Sequence, residues 1–188
     1  MTISINEITN GTALKVNSDV FVVTEYSHVK PGKGSAFVRV KMKSIKTQQV
    51  LERTYKTAER LEDVHLEERK LQNLYQNGDE YRFMDLKTYE EIAISKSSIG
   101  DAVRFLQDNL EVVGIFHQDE ILKVELPTFI VFEISHTEPG LKGDSSRSGN
   151  KPATIDTGTQ IQVPLFINIG DNVKIDTRTG EYVERVKK

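Results

Sequence analysis

The chain has 188 residues, 25 Lys+Arg against 28 Asp+Glu for a formal net charge of −3, and neither Cys nor Trp. The lack of cysteine excludes a disulfide scaffold, a thiolate metal site and a Cys nucleophile, and no apolar run approaches the ~20 residues of a membrane-spanning helix. The N-terminus has neither a basic start nor an apolar core and does not read as a signal peptide, so we expect a cytoplasmic, non-membrane protein built as one ordinary domain or a few very small ones.

Residues 20–23 are a short apolar run after the turn-like Asn17-Ser18-Asp19 and predict a strand. Lys30-Pro31-Gly32-Lys33-Gly34 punctuates a hairpin loop. Beyond it the alternation is clean: Ala36, Val38, Val40 and Met42 face one way, and Phe37, Arg39, Lys41 and Lys43 the other. Residues 51–55 are a further strand candidate. No acidic residue lies between Glu25 and Glu52, a window that holds Lys30, Lys33, Arg39, Lys41, Lys43 and Lys46. Such a basic block on an acidic chain suits a polyanion bound at one end; the plainer alternative is a solvated, lysine-rich strand face.

In the middle of the chain Asn77-Gly78 predicts a hairpin joining strands at 71–75 and 81–84. Ser98 reads as the cap of a helix carrying Ile99, Val103, Leu106 and Leu110 at helical spacing. Runs at 112–116 and 121–126 flank the turn-like Gln118-Asp119, and Pro127 ends the section. A strand at 129–134 precedes a long polar stretch, 138–150, and strand-like pieces follow at 160–169, 173–175 and 182–186. The formal charge is +3 over residues 1–64, −6 over 65–127 and 0 over 128–188. Many short strands with a single helix point to small barrels rather than one large sheet.

Few motifs carry chemistry. Gly32-Lys33-Gly34-Ser35 is no phosphate-binding loop, because a Walker A sequence needs Ser or Thr directly after its Lys. Glycines on both sides of Lys33 allow a hydrated, protonated lysine to stand at a hairpin tip. It is then a bland turn residue, a cation presented to a partner, or an amine open to modification. His28, His65, His117 and His136 lack metal-ligand spacing, and the pairs Glu67-Glu68 and Glu90-Glu91 read as solvated faces.

Two segments carry a family likeness. KPGKGSAFVRVK, residues 30–41, resembles the modification-loop hairpin of the bacterial elongation factor P family. KPATIDTGTQIQVPLFINIG, residues 151–170, resembles that family's C-terminal signature in its Lys-Pro-Ala, Gly158, Val163-Pro164 and Gly170. Ser98-Ile99-Gly100-Asp101 and residues 176–183 fit the same pattern, in the same order along the whole chain. The resemblance implies a mainly β protein of three small barrels: an SH3-like, KOW-like domain over 1–64 with the modification loop, then OB-fold domains over 65–127 and 128–188. An L-shaped, tRNA-like arrangement is implied as well. The related hypusine-bearing factor of archaea and eukaryotes stops after two domains, so a third domain speaks for the bacterial type.

The functional residues follow from the same resemblance. It implies a non-enzymatic translation factor that binds the 70S ribosome, both subunits, between the peptidyl and exit tRNA sites and relieves stalling at consecutive prolines. Lys33, framed by Lys30, Pro31, Gly32, Gly34 and Ser35, is the implied modification site, reaching the CCA end of the peptidyl-site tRNA. Arg39, Lys41 and Lys43 are the expected RNA contacts. Gly143, Asp144 and Arg147 form the expected C-terminal domain loop that approaches the exit-site codon and the small subunit. No cofactor or metal is expected beyond a covalent group on Lys33, first a β-lysyl type and second an aminopentanol type, added by a lysine-modifying enzyme to a monomeric factor. Ser35 and Ser145 stand where other members often carry Gln and Thr. Other readings are a divergent paralogue, a generic OB-fold RNA-binding protein, which should show aromatic stacking platforms where only Phe37 stands on a basic face, and an enzyme with Lys33 as nucleophile.

Overall fold

The computed structural model describes residues 2–32, 34–139 and 149–187. Six strands make up the N-terminal sheet: β1 (Thr2–Ser4), β2 (Ala13–Val16), β3 (Asp19–Val29), β4 (Phe37–Ser44), β5 (Val50–Lys56) and β6 (Arg60–Asp63), in the order β1-β6-β2-β3-β4-β5. The period-two pattern of β4 does the sorting. Val38, Val40 and Met42 have no exposed surface and join Ile5, Leu14 and Val23 in one core. Arg39 and Lys41 point outward, as their alternation predicts. Ala36 precedes the strand, and Ser44 ends it by donating its hydroxyl to the Asp19 carboxylate at 2.7 Å.

The next sheet contains β7 (Glu67–Asn77), β8 (Glu80–Asp85), β9 (Glu91–Ser95), β10 (Glu111–His117) and β11 (Glu120–Glu125), in the order β11-β10-β7-β8-β9. The Asn77-Gly78 hairpin is present: Asn77 pairs with Glu80, and Gly78 takes φ 63°, a conformation glycine adopts without steric cost. The helix departs from expectation. Its cap is Ser95, not Ser98: the Ser95 hydroxyl accepts the Ser98 N–H, and α1 spans only Lys96–Ile99. Gly100, at φ 65°, then breaks the helical path, and residues Gly100–Phe105 continue as a 3-10 turn. Hydrophobic spacing alone had joined two short pieces into one long helix.

The last sheet holds β12 (Phe129–Thr137), β13 (Asn150–Ile155), β14 (Gln160–Pro164), β15 (Asn172–Asp176) and β16 (Glu181–Val186), in the order β14-β13-β12-β15-β16. The piece expected over 160–169 stops at Pro164. Ile167 turns inward with no exposed surface, and the turn closes as Asp171 accepts the Asn168 N–H at 2.8 Å. Phe132, Ile134, Ile155, Val163, Val173 and Ile175 form the core of this sheet, and Phe105 is buried among them.

By compactness the chain divides into two units, Met1–Arg69 with Gly114–Lys123, and Lys70–Val113 with Val124–Lys188. The mostly β architecture is that of a KOW-like domain and OB domains, as expected. Among the described residues no helix is long and apolar enough to cross a membrane.

Candidate functional site

The β3–β4 hairpin is where the sequence placed the site. Its ladder runs from Phe21↔Ser44 to Val29↔Phe37, with an irregularity between Val23 and Glu25 that adds one residue to β3. Beyond Val23 the β3 residues Thr24–His28 are exposed, while Val38 and Val40 of β4, paired with His28 and Tyr26, stay buried in the core. Of the loop, Lys30, Pro31, Gly32, Gly34 and Ser35 are all exposed. Gly34 holds φ 115°, which other residues rarely adopt, while a Cβ at Gly32 would meet nothing. Lys33, the expected modification site, lies outside the described residues.

On the outer face of β4 stand Phe37, Arg39, Lys41 and Lys43. Register decides what they face. Lys41 lies directly between Glu25 of β3 and Glu52 of β5, and Arg39 between Ser27 and Thr54. The Arg39 guanidinium reaches diagonally to Glu52, with Nε 3.3 Å from Oε1. The stretch without acids in the sequence is therefore flanked across the ladder by two carboxylates. Lys43, between Val22 and Val50, and Lys41 make no ion pair among the described residues. Lys46 is drawn away from this face toward Glu120, 3.2 Å distant. An exposed pair such as Arg39–Glu52 is worth about 0–1 kcal/mol, little enough for a phosphate to displace.

The opposite face of the hairpin carries residues that sequence reasoning passed over. Tyr26 pairs with Val40, and His28 with Val38. Their rings meet edge to face with centroids 5.8 Å apart, and Tyr26 is 36% exposed. Together they offer a π surface near the loop on which a base could stack. The even spacing of Tyr26 and His28 on a strand was the available signal.

In the C-terminal sheet, Gly143, Asp144 and Arg147, as well as Ser145, lie outside the described residues. What is described is the stem of their loop. Lys151 is 6% exposed, and its ammonium donates to the Glu138 carbonyl at 2.6 Å, tying β13 to the end of β12. The β15–β16 hairpin is fixed by a forked contact: Arg178 Nε and Nη2 donate to Asp176 Oδ1 and Oδ2 at 3.0 and 2.6 Å. The Arg178 side chain, with its backbone N–H, lowers the Asp176 carboxyl to a pKa of about 2. Among the described residues no group of three or more His, Cys, Asp or Glu is gathered as metal ligands would be.

Comparison with known proteins covers the whole architecture. Residues 4–61 match the elongation factor P KOW-like domain, residues 66–124 the elongation factor P OB domain, and residues 130–185 the elongation factor P C-terminal model. The chain is 47% identical over 184 residues to elongation factor P of Caldanaerobacter subterraneus subsp. tengcongensis, spanning 98% of this chain and 100% of the relative. It is 45% identical over 185 residues to elongation factor P of Natranaerobius thermophilus, covering 98% of each. Among solved structures it resembles eukaryotic translation initiation factor 5A from Methanococcus jannaschii, with a TM-score of 0.52 and 25% identity over 68% of this chain and 92% of that one. A translation initiation factor eif-5a family protein from Naegleria fowleri shares the fold with a TM-score of 0.56 and 14% identity, over 67% of this chain and 98% of that one. The chain belongs to the elongation factor P family and is a translation elongation factor.

Proposed function

We propose that this elongation factor acts on the ribosome between the peptidyl and exit tRNA sites, stimulates peptide-bond formation, and so relieves stalling at consecutive prolines. The observation that carries this reading is the β3–β4 hairpin, whose exposed loop is carried by a strand with buried Val38, Val40 and Met42 on one side and Arg39, Lys41 and Lys43 on the other. Buried valines hold the strand in place from behind. The outward cations meet phosphates of tRNA or ribosomal RNA, each contact releasing counterions and adding salt-dependent affinity.

Lys33 supplies the group that reaches the CCA end of the peptidyl-site tRNA, lengthened by a lysine-modifying enzyme, with a β-lysyl group the first choice. Proline is a slow donor and acceptor, and the catalytic centre belongs to the ribosome. A cationic arm held by a firm hairpin lowers the barrier by restricting the peptidyl-tRNA end to geometries ready for attack. The factor then works by positioning and performs no bond chemistry of its own. Gly143, Asp144 and Arg147 complete the reading as the contact toward the exit-site codon and the small subunit.

The test is translation of a Pro-Pro-Pro reporter in a factor-depleted extract of the source organism, comparing native protein with Lys33→Ala. Rescue by the native protein alone is expected. Equal rescue by both would remove Lys33 from the mechanism, and rescue by neither would favour a paralogue serving other stalls.

A further inference from the structure

Strand β3 outruns its partner β2. β2 pairs with it only from Asp19 to Val22, and one residue further the Val23 carbonyl accepts the Gly11 N–H at 2.8 Å while the Val23 N–H donates to the Thr12 carbonyl at 2.9 Å. From Glu25 to Val29, among the described residues, β3 has β4 on one side and no strand on the other.

Which residues turn their main chain to the open side follows from β4. Ser44 N–H donates to the carbonyl of Gln49, next to β5, at 2.9 Å. By alternation Met42, Val40 and Val38 bond toward β5, and Lys41, Arg39 and Phe37 bond toward β3. Their partners there are Glu25, Ser27 and Val29. Tyr26 and His28 therefore turn both N–H and C=O away from β4, to the open side.

The same two residues hold the ring pair. They share a face with Val40 and Val38, yet those valines are buried while both rings reach solvent. The ring planes stand at 87° with centroids 5.8 Å apart, so they form a corner. A flat heterocycle stacked on one ring meets the other at its side. Beside that corner lie the free N–H and C=O groups of the two residues, able to bond the rim of whatever stacks there.

An unpaired RNA base has this chemistry: two π faces, and an edge of donors and acceptors left open by the lack of a pairing partner. A base within a duplex has neither its faces nor its pairing edge free. Charge agrees with an RNA occupant. No acidic residue lies between Glu25 and Glu52, and the opposite face of the same hairpin carries Arg39, Lys41 and Lys43.

We propose that Tyr26 and His28 bind one unpaired RNA base, stacked in the corner of their rings and bonded at its edge to their outward N–H and C=O groups. The inference rests on reading the hairpin as an RNA-facing element, and it uses neither Lys33 nor the cations of β4. The hairpin then meets phosphates on one face and a base on the other.

The probe is a short RNA duplex with a single-stranded 3′ overhang containing 2-aminopurine, whose fluorescence falls when it stacks on an aromatic ring. It is titrated into the full, isotope-labelled chain, with the blunt duplex as control. Quenching and shifts of the Tyr26 and His28 ring protons are expected from the overhang alone. Tyr26→Leu and His28→Leu keep apolar bulk without a π face; each should weaken overhang binding about tenfold and leave its salt dependence unchanged. Tyr26→Phe should retain the affinity. The ring-proton readout on the unaltered chain does not depend on any variant folding. Ring protons unmoved while the overhang duplex is bound, or quenching undiminished in both leucine variants, would overturn the stacking site and leave the cationic face of β4 standing. Failure of either duplex to bind at any salt concentration would overturn this site and the RNA-facing reading of the hairpin together.

Discussion

Glu52 shows how one side chain sets the strength of the basic strand. It sits opposite Lys41 and 3.3 Å from the Arg39 guanidinium, so part of the positive face proposed to meet RNA is already occupied by a carboxylate. Replacing Glu52 with Gln should tighten ribosome binding and steepen its salt dependence, whereas Arg39→Ala and Lys41→Ala should each make the slope of log K against log salt shallower by about 1. Equilibrium binding across a potassium chloride series checks all three, and unchanged slopes would move the RNA face elsewhere. Lys33 makes the complementary case. Its flanking glycines are both exposed, so Lys33→Ala should leave stability within about 0.5 kcal/mol by thermal unfolding. A larger loss would mean that the lysine supports the fold rather than serving a partner.

The β15–β16 hairpin carries a pH dependence whose sign follows from its geometry. Asp176 titrates at about 2 because Arg178 holds its charged form. An unfolded aspartate titrates near about 3.9. The ionised pair therefore contributes fully above the unfolded value, and the contribution is lost as pH falls from about 4 toward about 2. Acid titration followed by amide exchange of β15 and β16 should show loosening in that window, and Arg178→Ala should abolish that part of the acid dependence. Lys151 acts at the scale of a loop stem. A buried ammonium with a carbonyl at 2.6 Å orders the junction of β12 and β13, where the expected codon-facing loop begins and ends.

At the scale of the molecule, the second compact unit depends on a residue far from its sheet in sequence. Phe105 is 2% exposed, packs with Phe132 at a ring-centroid distance of 5.9 Å, and belongs to the core formed by β12–β16. Phe105→Ala should cost about 3–5 kcal/mol, and calorimetry should show Lys70–Val113 and Val124–Lys188 losing stability together. A loss confined to the central residues would mean that the C-terminal sheet stands without this ring. Two family domains sharing a core also explain why compactness yields two units from a chain that matches three family models.

Strand β4, the hairpin loop before it and the Asn77-Gly78 turn were legible in the residues, because alternation and Gly or Pro punctuation act between near neighbours in the chain. The order of the segments that resemble the family was enough to indicate it. Short strands escaped notice: β1, β2 and β6 have three or four residues, too few for a period to show. β13 was hidden by Pro152, which is tolerated because it lies one residue past the last β12–β13 pair and no ladder bond needs its missing N–H. What surrounds a residue was decided only by the tertiary structure. Register brought Glu25 and Glu52 to the basic strand, and burial made Lys151 a tie between strands. Each depends on which distant strand pairs with which, and strand pairing is a choice among remote partners that no local pattern specifies.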